Sequence, residues 1–432
     1  MTMLERTILF GVPTLAGLAV GFVLLGPGAR RVVEGARVFG LPVEGAAVGA
    51  LRIALVRRLG ELEVPTGGRV EVEWSRAGEV FARSVATVDA DGWADVTLRF
   101  DTPFPQSAHL TVRRGATVLA TGDAEAHPSP RLVDASVCES NGPLTLCVPR
   151  GIAVPEFPER VSVTMRGGNE LESGTLIELD AAGGRVTRPS NRGGHRCERG
   201  ECVVTANFDV VALAPSVPLD VHATDASKSR LYAELPLRAG GLWLEPSDEP
   251  GRALVIRSAT LKGVVYASFI TAEGRSWGGA VRMQELPDGT ATGRVDLPSP
   301  QAAAAQGATL VISSDAEEPK EHSVAWPVSN GQRREPALVE RILDGVPAAL
   351  NREEARIRAV RWPTAGAIAT SSVAVLLTLS LRIRRMRERF ERHLAGAGSD
   401  VPIPPMRLGL TIGVLVLVAL ALLVLAVVAA YG

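Results

Sequence analysis

The chain has 432 residues, a net charge of -1, 46% hydrophobic residues and only 4% aromatics. Charge this near zero excludes the basic surface of a nucleic-acid binder, and this much apolar content excludes a disordered chain. Four cysteines are too few for a disulfide scaffold of this length.

After a short N-terminus (1–7), Ile8–Gly26 runs 19 residues without a charge. A hydrocarbon core about 30 Å thick takes about 20 apolar helical residues, so a first transmembrane helix is predicted over 8–26. Gly17 and Gly21 fall four apart, a spacing that lets a second helix approach closely. A signal peptide is the alternative, with Gly26, Gly28 and Ala29 as small residues for a peptidase. The charges of Glu5 and Arg6 cancel, however, and the apolar stretch is longer than a usual h-region.

From 27 to 335 the hydrophobic period is two. Val70, Val72 and Trp74 alternate with Glu71 and Glu73, and Ala94, Val96, Leu98 and Phe100 repeat the pattern. Val161 with Val163, and Val295 with Leu297, do the same. Alternation of this kind predicts antiparallel strands with one buried face. Asp91-Gly92, Gly167-Gly168, Gly183-Gly184 and Asp288-Gly289 supply turns. Turn-rich stretches at 126–130 and 245–251 divide the region into three β-sandwiches over 38–126, 131–244 and 252–332, each near the usual size of about 100 residues. The expected fold is thus an all-β ectodomain of tandem Ig-like sandwiches plus three transmembrane helices.

Chemistry is sparse. Asp89, Asp91 and Asp95 offer a weak calcium candidate, but Asp and Gly are also what a tight hairpin needs. Cys138, Cys147, Cys197 and Cys202 all fall in the second sandwich. Local pairs 138–147 and 197–202 are the simplest of three connectivities in an oxidising compartment. The metal alternative, His195 with Cys197 and Cys202, lacks the paired C-x-x-C spacing of zinc sites. Gly274-Arg-Ser-Trp-Gly278 matches the G-x-S-x-G of serine hydrolases, with Asp296 or Asp315 and His322 downstream in the right order. That motif needs a strand-to-helix turn, and a short strand pattern follows it here, so Ser276 is read as a Gly-rich hairpin tip. No phosphate or dinucleotide fingerprint appears, and no cofactor is implied.

Leu41-Pro-Val-Glu-Gly-Ala-Ala-Val48, followed by Ala86-Thr-Val-Asp-Ala-Asp-Gly92 and a strand, resembles carboxypeptidase regulatory-like domains and the macroglobulin-type domains of bacterial surface proteins. Residues 288–298 echo it. The resemblance covers about a fifth of the chain. It implies a seven-stranded or similar sandwich used for spacing, adhesion or partner binding. The thioester motif Cys-Gly-Glu-Gln of full macroglobulins is absent, so covalent trapping is not implied.

Residues 336–361 are expected to form a helical stalk. Leu338, Ile342 and Val346 fall at i, i+4 and i+8, Gly345 and Pro347 break the helix, and Asn351 caps a second one from Arg352. A second span is predicted over 363–381, with Gly366, Thr370, Ala374 and Thr378 in a row of small residues. The loop 382–407 carries Arg382, Arg384, Arg385, Arg387, Arg389, Arg392 and Arg407 against three acids, which places it in the cytoplasm. Its stripe Ile383, Met386, Phe390 and Leu394 makes a basic amphipathic helix for anionic headgroups or a partner. A third span follows over 408–430, with Gly409 and Gly413 four apart. No charge lies inside any span, which argues against transport by this chain alone.

The topology that follows has the N-terminus inside, residues 27–362 outside and the C-terminus outside. Trp362 and Tyr431 then lie at the outer interface. Arginine outnumbers lysine 43 to 3, as in a GC-rich bacterial genome, so outside means periplasm. The expected role is non-enzymatic: an inner-membrane subunit of an envelope assembly whose partners are the bilayer and other membrane or envelope proteins, with its oligomeric state open. The alternatives are a sensor with a ligand-binding ectodomain, limited by a cytoplasmic loop of only 26 residues, and an envelope serine hydrolase.

Overall fold

A computed structural model of the chain describes residues 32–394 apart from 41, 169–170, 172–174, 188–193, 199–200, 225–228, 239–240, 247–252, 261–262, 297–306, 329–330 and 336–338, together with Gly17, Leu18 and Val20. Two compact units are present. One comprises Gly35–Val56 and Pro65–Gly345, the other Met1–Glu34, Arg57–Val64 and Val346–Gly432.

The first unit is all β, in three sandwiches. Strands form where alternate side chains find a core. In Pro158–Gly167, for example, Val161, Val163 and Met165 point inward while Arg160, Ser162 and Thr164 face out. In the first sandwich one sheet has the order Glu340–Asp344, Val32–Gly40, Val48–Leu59, Leu62–Pro65, with Trp93–Arg99 also paired to Val48–Leu59. Opposite lie Glu79–Val88, Gly68–Arg76, Ser107–Arg114 and Thr117–Glu125. Val70, Val72 and Trp74 are all buried between them, and Trp74 meets Phe104 edge-on at 5.0 Å. Full burial of each such side chain contributes about 1.5–3 kcal/mol.

The second sandwich sets a sheet of Val137–Asn141, Leu144–Val148, Pro158–Gly167, Glu201–Ala212 and Gly184–Thr187, with His195–Glu198 also on Glu201–Ala212, against Ile177–Ala181, Pro218–Ala223 and Arg230–Glu234. The third sets Leu242–Leu244, Leu254–Ser258, Ala291–Val295 and Gln284–Glu285 against Gly274–Arg282, Val264–Thr271, Thr309–Ser313 and Ser323–Pro327. The cores are not separate. Ile270 and Val311 of the third sandwich enter the first core, and Val154 and Phe157 of the second enter the third.

Two expectations for the stalk are corrected. Ile342 lies in a strand, Glu340–Asp344, whose side chains Ile342 and Leu343 pack on the first core. A sheet edge far back in the chain, where Asp344 meets Arg37 across 307 positions, outweighs the local helical spacing. The helix then starts at Val346 and runs unbroken to Leu394, so neither Pro347 nor Asn351 marks a boundary between two helices. Proline is tolerated in a first helical turn, where its missing N–H has no intrahelical partner. Leu338 lies outside the described residues.

In the second unit Arg57 donates to Glu34 at 2.6 Å, and the helix carries its own ion pairs, Arg356–Glu353 at 2.9 Å and Arg384–Glu388 at 3.3 Å. Among the described residues no helix is long and apolar enough to cross a membrane. The stretches 8–26 and 408–430 lie outside the described residues apart from Gly17, Leu18 and Val20. The stretch 363–381 lies within the helix Val346–Leu394, with several of its side chains outside the description. The expectation of three spanning helices therefore draws no support from the structure.

Candidate functional site

The most unusual chemistry lies where the first and third sandwiches meet. Arg52 and Asp95 are cross-strand partners in the first sandwich, on Val48–Leu59 and Trp93–Arg99. The third supplies Ser268 on Val264–Thr271, Arg275 on Gly274–Arg282, and Glu318 in the turn after Thr309–Ser313. Arg52 is 1% exposed, Arg275 0% and Glu318 1%.

The five side chains form a closed ring. Arg52 donates through Nε to Asp95 Oδ1 at 3.1 Å and through Nη2 to Asp95 Oδ2 at 3.2 Å. Its other N–H groups reach the carbonyls of Ala316 and Ala267, both at 3.1 Å, and the carboxylate of Glu318. Ser268 donates to Glu318 Oε1 at 2.8 Å and accepts from Arg275 Nε at 2.9 Å. Arg275 Nη2 closes the ring on Asp95. Arg52 also lies over the Tyr266 ring, 5.2 Å from its centroid.

Two cations and two anions cancel, and the titration directions follow. Burial pulls Asp95 upward, but the guanidiniums of Arg275 and Arg52 outweigh it and hold the carboxyl below its usual range. Burial also opposes the charge on Arg52, and Glu318 and Asp95 more than restore it. Arg275 ends below its ordinary value because burial dominates there, despite Asp95. Glu318 holds its carboxylate in place from a left-handed backbone, φ 51°, a conformation uncommon outside glycine.

This ring accounts for the G-x-S-x-G match. Gly274 turns the hairpin at φ 87°. Arg275 enters the ring. Ser276 Oγ donates to the Phe269 carbonyl at 3.3 Å, on a strand with no helix after it. Gly278 leaves room for Arg275: a Cβ there would lie 1.7 Å from Arg275 Nη2. Of the downstream candidates, Asp296 pairs with Arg294 at 2.7 Å and His322 lies 3.9 Å from Asp315, while the Ser276 hydroxyl is turned to the Phe269 carbonyl.

Two of the three weak calcium candidates have other partners in the structure. Asp89 Oδ1 accepts the backbone N–H groups of Asp91 and Trp93 at 3.1 and 3.2 Å, a hairpin-turn role. Asp95 is committed to the two arginines. Among the described residues, the set of three metal-ligand atoms lying within 4.8 Å of one another is that of His195, Cys197 and Cys202.

A second charged seam joins the second and third sandwiches. Arg150 Nη2 donates to the Leu244 carbonyl at 2.6 Å, and its guanidinium carbon sits 4.0 Å over the Trp326 ring. Phe157 stacks on Trp243 at 5.1 Å. Glu159, 1% exposed, lies 3.7 Å from Arg150. Burial pushes the Glu159 carboxyl up to about 7, against the pull of Arg150, and burial lowers Arg150 to about 10.

The cysteines are paired 138–147 and 197–202, each across two directly facing strand positions. His195 stands beside the second pair, its Nε2 3.6 Å from Cys197 Sγ. On the helix, the hydroxyls of Thr370 and Thr378 donate back to the carbonyls of Gly366 and Ala374, at 2.8 and 2.7 Å. A Cβ at Gly366 or Gly17 would meet nothing within 4 Å. Gly21, Gly409 and Gly413 lie outside the described residues. Arg382, Arg384, Arg385, Arg389 and Arg392 are exposed, and only the backbone of Arg387 is described. Arg384 and Arg392 both face Glu388.

Sequence patterning missed the ring and the second seam. Their polar members sit singly in strands or, for Glu318 and Arg150, in turns. The one local signal was a charged residue at an inward position, Arg52 within Leu51–Leu55 and Arg275 beside a turn glycine.

No protein-family model matches the chain, and no curated protein matches it. Among solved structures it is similar to alpha-2-macroglobulin of E. coli, at 10% identity over 72% of this chain, with a TM-score of 0.17. The chain spans 23% of that protein's length. An I-band fragment of titin, I67–I69, matches at 11% identity over 67% of this chain and 96% of its own, TM-score 0.15. A family 2 glycosyl hydrolase from Bacteroides cellulosilyticus matches at 9% over 47% of this chain and 28% of its own, TM-score 0.15. Likenesses this distant say nothing about activity.

Proposed function

We propose that the chain is a non-enzymatic, membrane-anchored subunit of a bacterial envelope assembly, with its sandwiches in the periplasm and three helices in the inner membrane. The anchoring rests on the uncharged apolar stretches 8–26, 363–381 and 408–430, and the pairing of Val32–Gly40 with Glu340–Asp344 is compatible with it. The chain enters and leaves the first sandwich at neighbouring points of one sheet. The two disulfides fit an oxidising compartment, and the arginines of 382–407 fit a cytoplasmic loop.

The partner-binding role is supported by the charged ring, in which Arg52–Glu318 and Arg275–Asp95 cross between the first and third sandwiches. Buried ion pairs add little net stability over apolar packing, but they suit the fixing of register. Sandwiches held at fixed positions present their loops and strand edges as one constant surface to a partner protein. Other membrane subunits are the expected partners of the small-residue row at Gly366, Thr370, Ala374 and Thr378.

Membrane extraction and cysteine labelling test this reading. The protein should stay with membranes in alkaline carbonate. Glu79→Cys should react with an impermeant maleimide in intact spheroplasts, and Gly396→Cys only after lysis. Release by carbonate, or labelling of Gly396→Cys in intact cells, would overturn it.

A further inference from the structure

The two disulfides are built alike across facing strand positions, and the residue two before the first cysteine differs. Cys138 faces Cys147, and Cys197 faces Cys202, each pair spanning adjacent antiparallel strands. Two residues before Cys138 stands Ser136, its Oγ 3.8 Å from the sulfur. Two residues before Cys197 stands His195, its Nε2 3.6 Å from the sulfur. The period of two in a strand puts residues i and i+2 on one face, so the imidazole and both sulfurs share that face. The three ligand atoms lie within 4.8 Å of one another. His195 and Cys197 are exposed and Cys202 is buried, so the cluster is open to solvent on one side.

We propose that reduction of the Cys197–Cys202 disulfide turns this hairpin into a site for one cuprous ion, held by two thiolates and the His195 imidazole. A dithiol supplies the electrons. Its two thiols lose two electrons and two protons and become a disulfide, while the S–S bond here breaks and each sulfur gains a proton. Binding Cu⁺ then displaces both protons to solvent and leaves a set of net charge -1 with a neutral imidazole. Soft thiolates with an imidazole select cuprous copper, which accepts three ligands, whereas a closed structural zinc site takes four. The oxidised hairpin offers the imidazole alone, so binding is gated by the redox state of the pair.

The full chain in detergent provides the test, because Ser136–Cys138–Cys147 is a built-in control. The Cys138→Ser/Cys147→Ser chain is reduced with a phosphine without oxygen, freed of reductant, and titrated with Cu⁺ against bicinchoninate. It should bind one Cu⁺ per chain when reduced and none when oxidised. Adding His195→Ala should weaken binding at least about tenfold. The reciprocal Cys197→Ser/Cys202→Ser chain should bind at least about tenfold more weakly than the first. No binding by the reduced chain, equal binding by the oxidised one, or equal affinity of the two cysteine pairs would overturn the proposal. So would an affinity unmoved by His195→Ala, a preference for Zn²⁺ over Cu⁺, or loss of the β-sheet circular dichroism on reduction, since the hairpin must persist to hold the ligands together.

Discussion

Gly278 has no side chain because Arg275 occupies the place a Cβ would take, 1.7 Å from Nη2. Gly278→Ala must push the guanidinium off Asp95 and leave a buried cation short of its partner, a loss of about 3–5 kcal/mol. Ser276→Ala removes a neutral hydrogen bond to the Phe269 carbonyl and should cost about 1 kcal/mol. Thermal unfolding followed by tryptophan fluorescence should rank them in that order. A nucleophilic Ser276 would not require the glycine change to be the worse for stability. Glu159 gives a second prediction, on pH. Its carboxyl titrates at about 7 in the folded chain against an ordinary value of 4.5. Below 4.5 it is neutral in both states. Between the two values the folded state keeps a proton the unfolded state has released, so stability falls as pH rises, by about 3 kcal/mol in all once pH passes 7. Glu159→Gln stays neutral and should flatten that decline. Denaturant unfolding at pH 5 and pH 8 measures both slopes, and parallel slopes would mean that Glu159 ionises freely in the fold.

At the scale of elements, what was legible in the sequence is what local chemistry decides. Asp91-Gly92, Gly183-Gly184 and Asp288-Gly289 signal turns because only glycine adopts left-handed backbone at little cost, and Gly92, Gly183 and Gly289 have φ of 84°, 79° and 82°. Val70, Val72 and Trp74 alternate because one face of their strand is buried. The strand Glu340–Asp344 was not legible, because its partner is Val32–Gly40 and no local pattern encodes a pairing over such a distance. The charged seams were hidden for the same reason, with Arg52 and Glu318 separated by 266 positions. The returning strand carries its own prediction. Leu343 faces Val38 and packs on the first core, so Leu343→Asp buries an unpaired carboxylate or strips the strand from the edge. Hydrogen exchange should then speed up along Val32–Gly40 and stay unchanged along Pro158–Gly167. Equal protection of Val32–Gly40 in both chains would mean that the edge does not depend on the strand.

At the scale of the whole β unit, the ring of Arg52, Asp95, Arg275, Ser268 and Glu318 lies where the first and third sandwiches meet. Apolar contact alone, such as Ile270 and Val311 on the first core, is nondirectional and would tolerate sliding. Across the seam Arg52 donates to Glu318 and Arg275 to Asp95, and such charge-assisted hydrogen bonds are directional, so these charges are expected to set register at some expense in stability. The two effects separate by mutation. Arg275→Met alone should lower stability by about 3–5 kcal/mol, because Asp95 and Ser268 lose a buried partner. Arg52→Met/Asp95→Leu/Arg275→Met/Glu318→Leu removes every charge together and should recover much of that loss, since no ion is left unpaired. Register is read at Glu273, whose carboxylate accepts the N–H groups of Ala47 and Val48 at 3.2 and 3.1 Å across the same seam. Cysteines at Ala47 and Glu273 should be joined by a short bismaleimide in high yield in an otherwise native chain. The fourfold apolar variant should unfold at a similar temperature yet cross-link in low yield, because its sandwiches touch without a fixed partner geometry. Equal yields in the two chains would show that shape complementarity alone positions the third sandwich and that the buried charges set nothing.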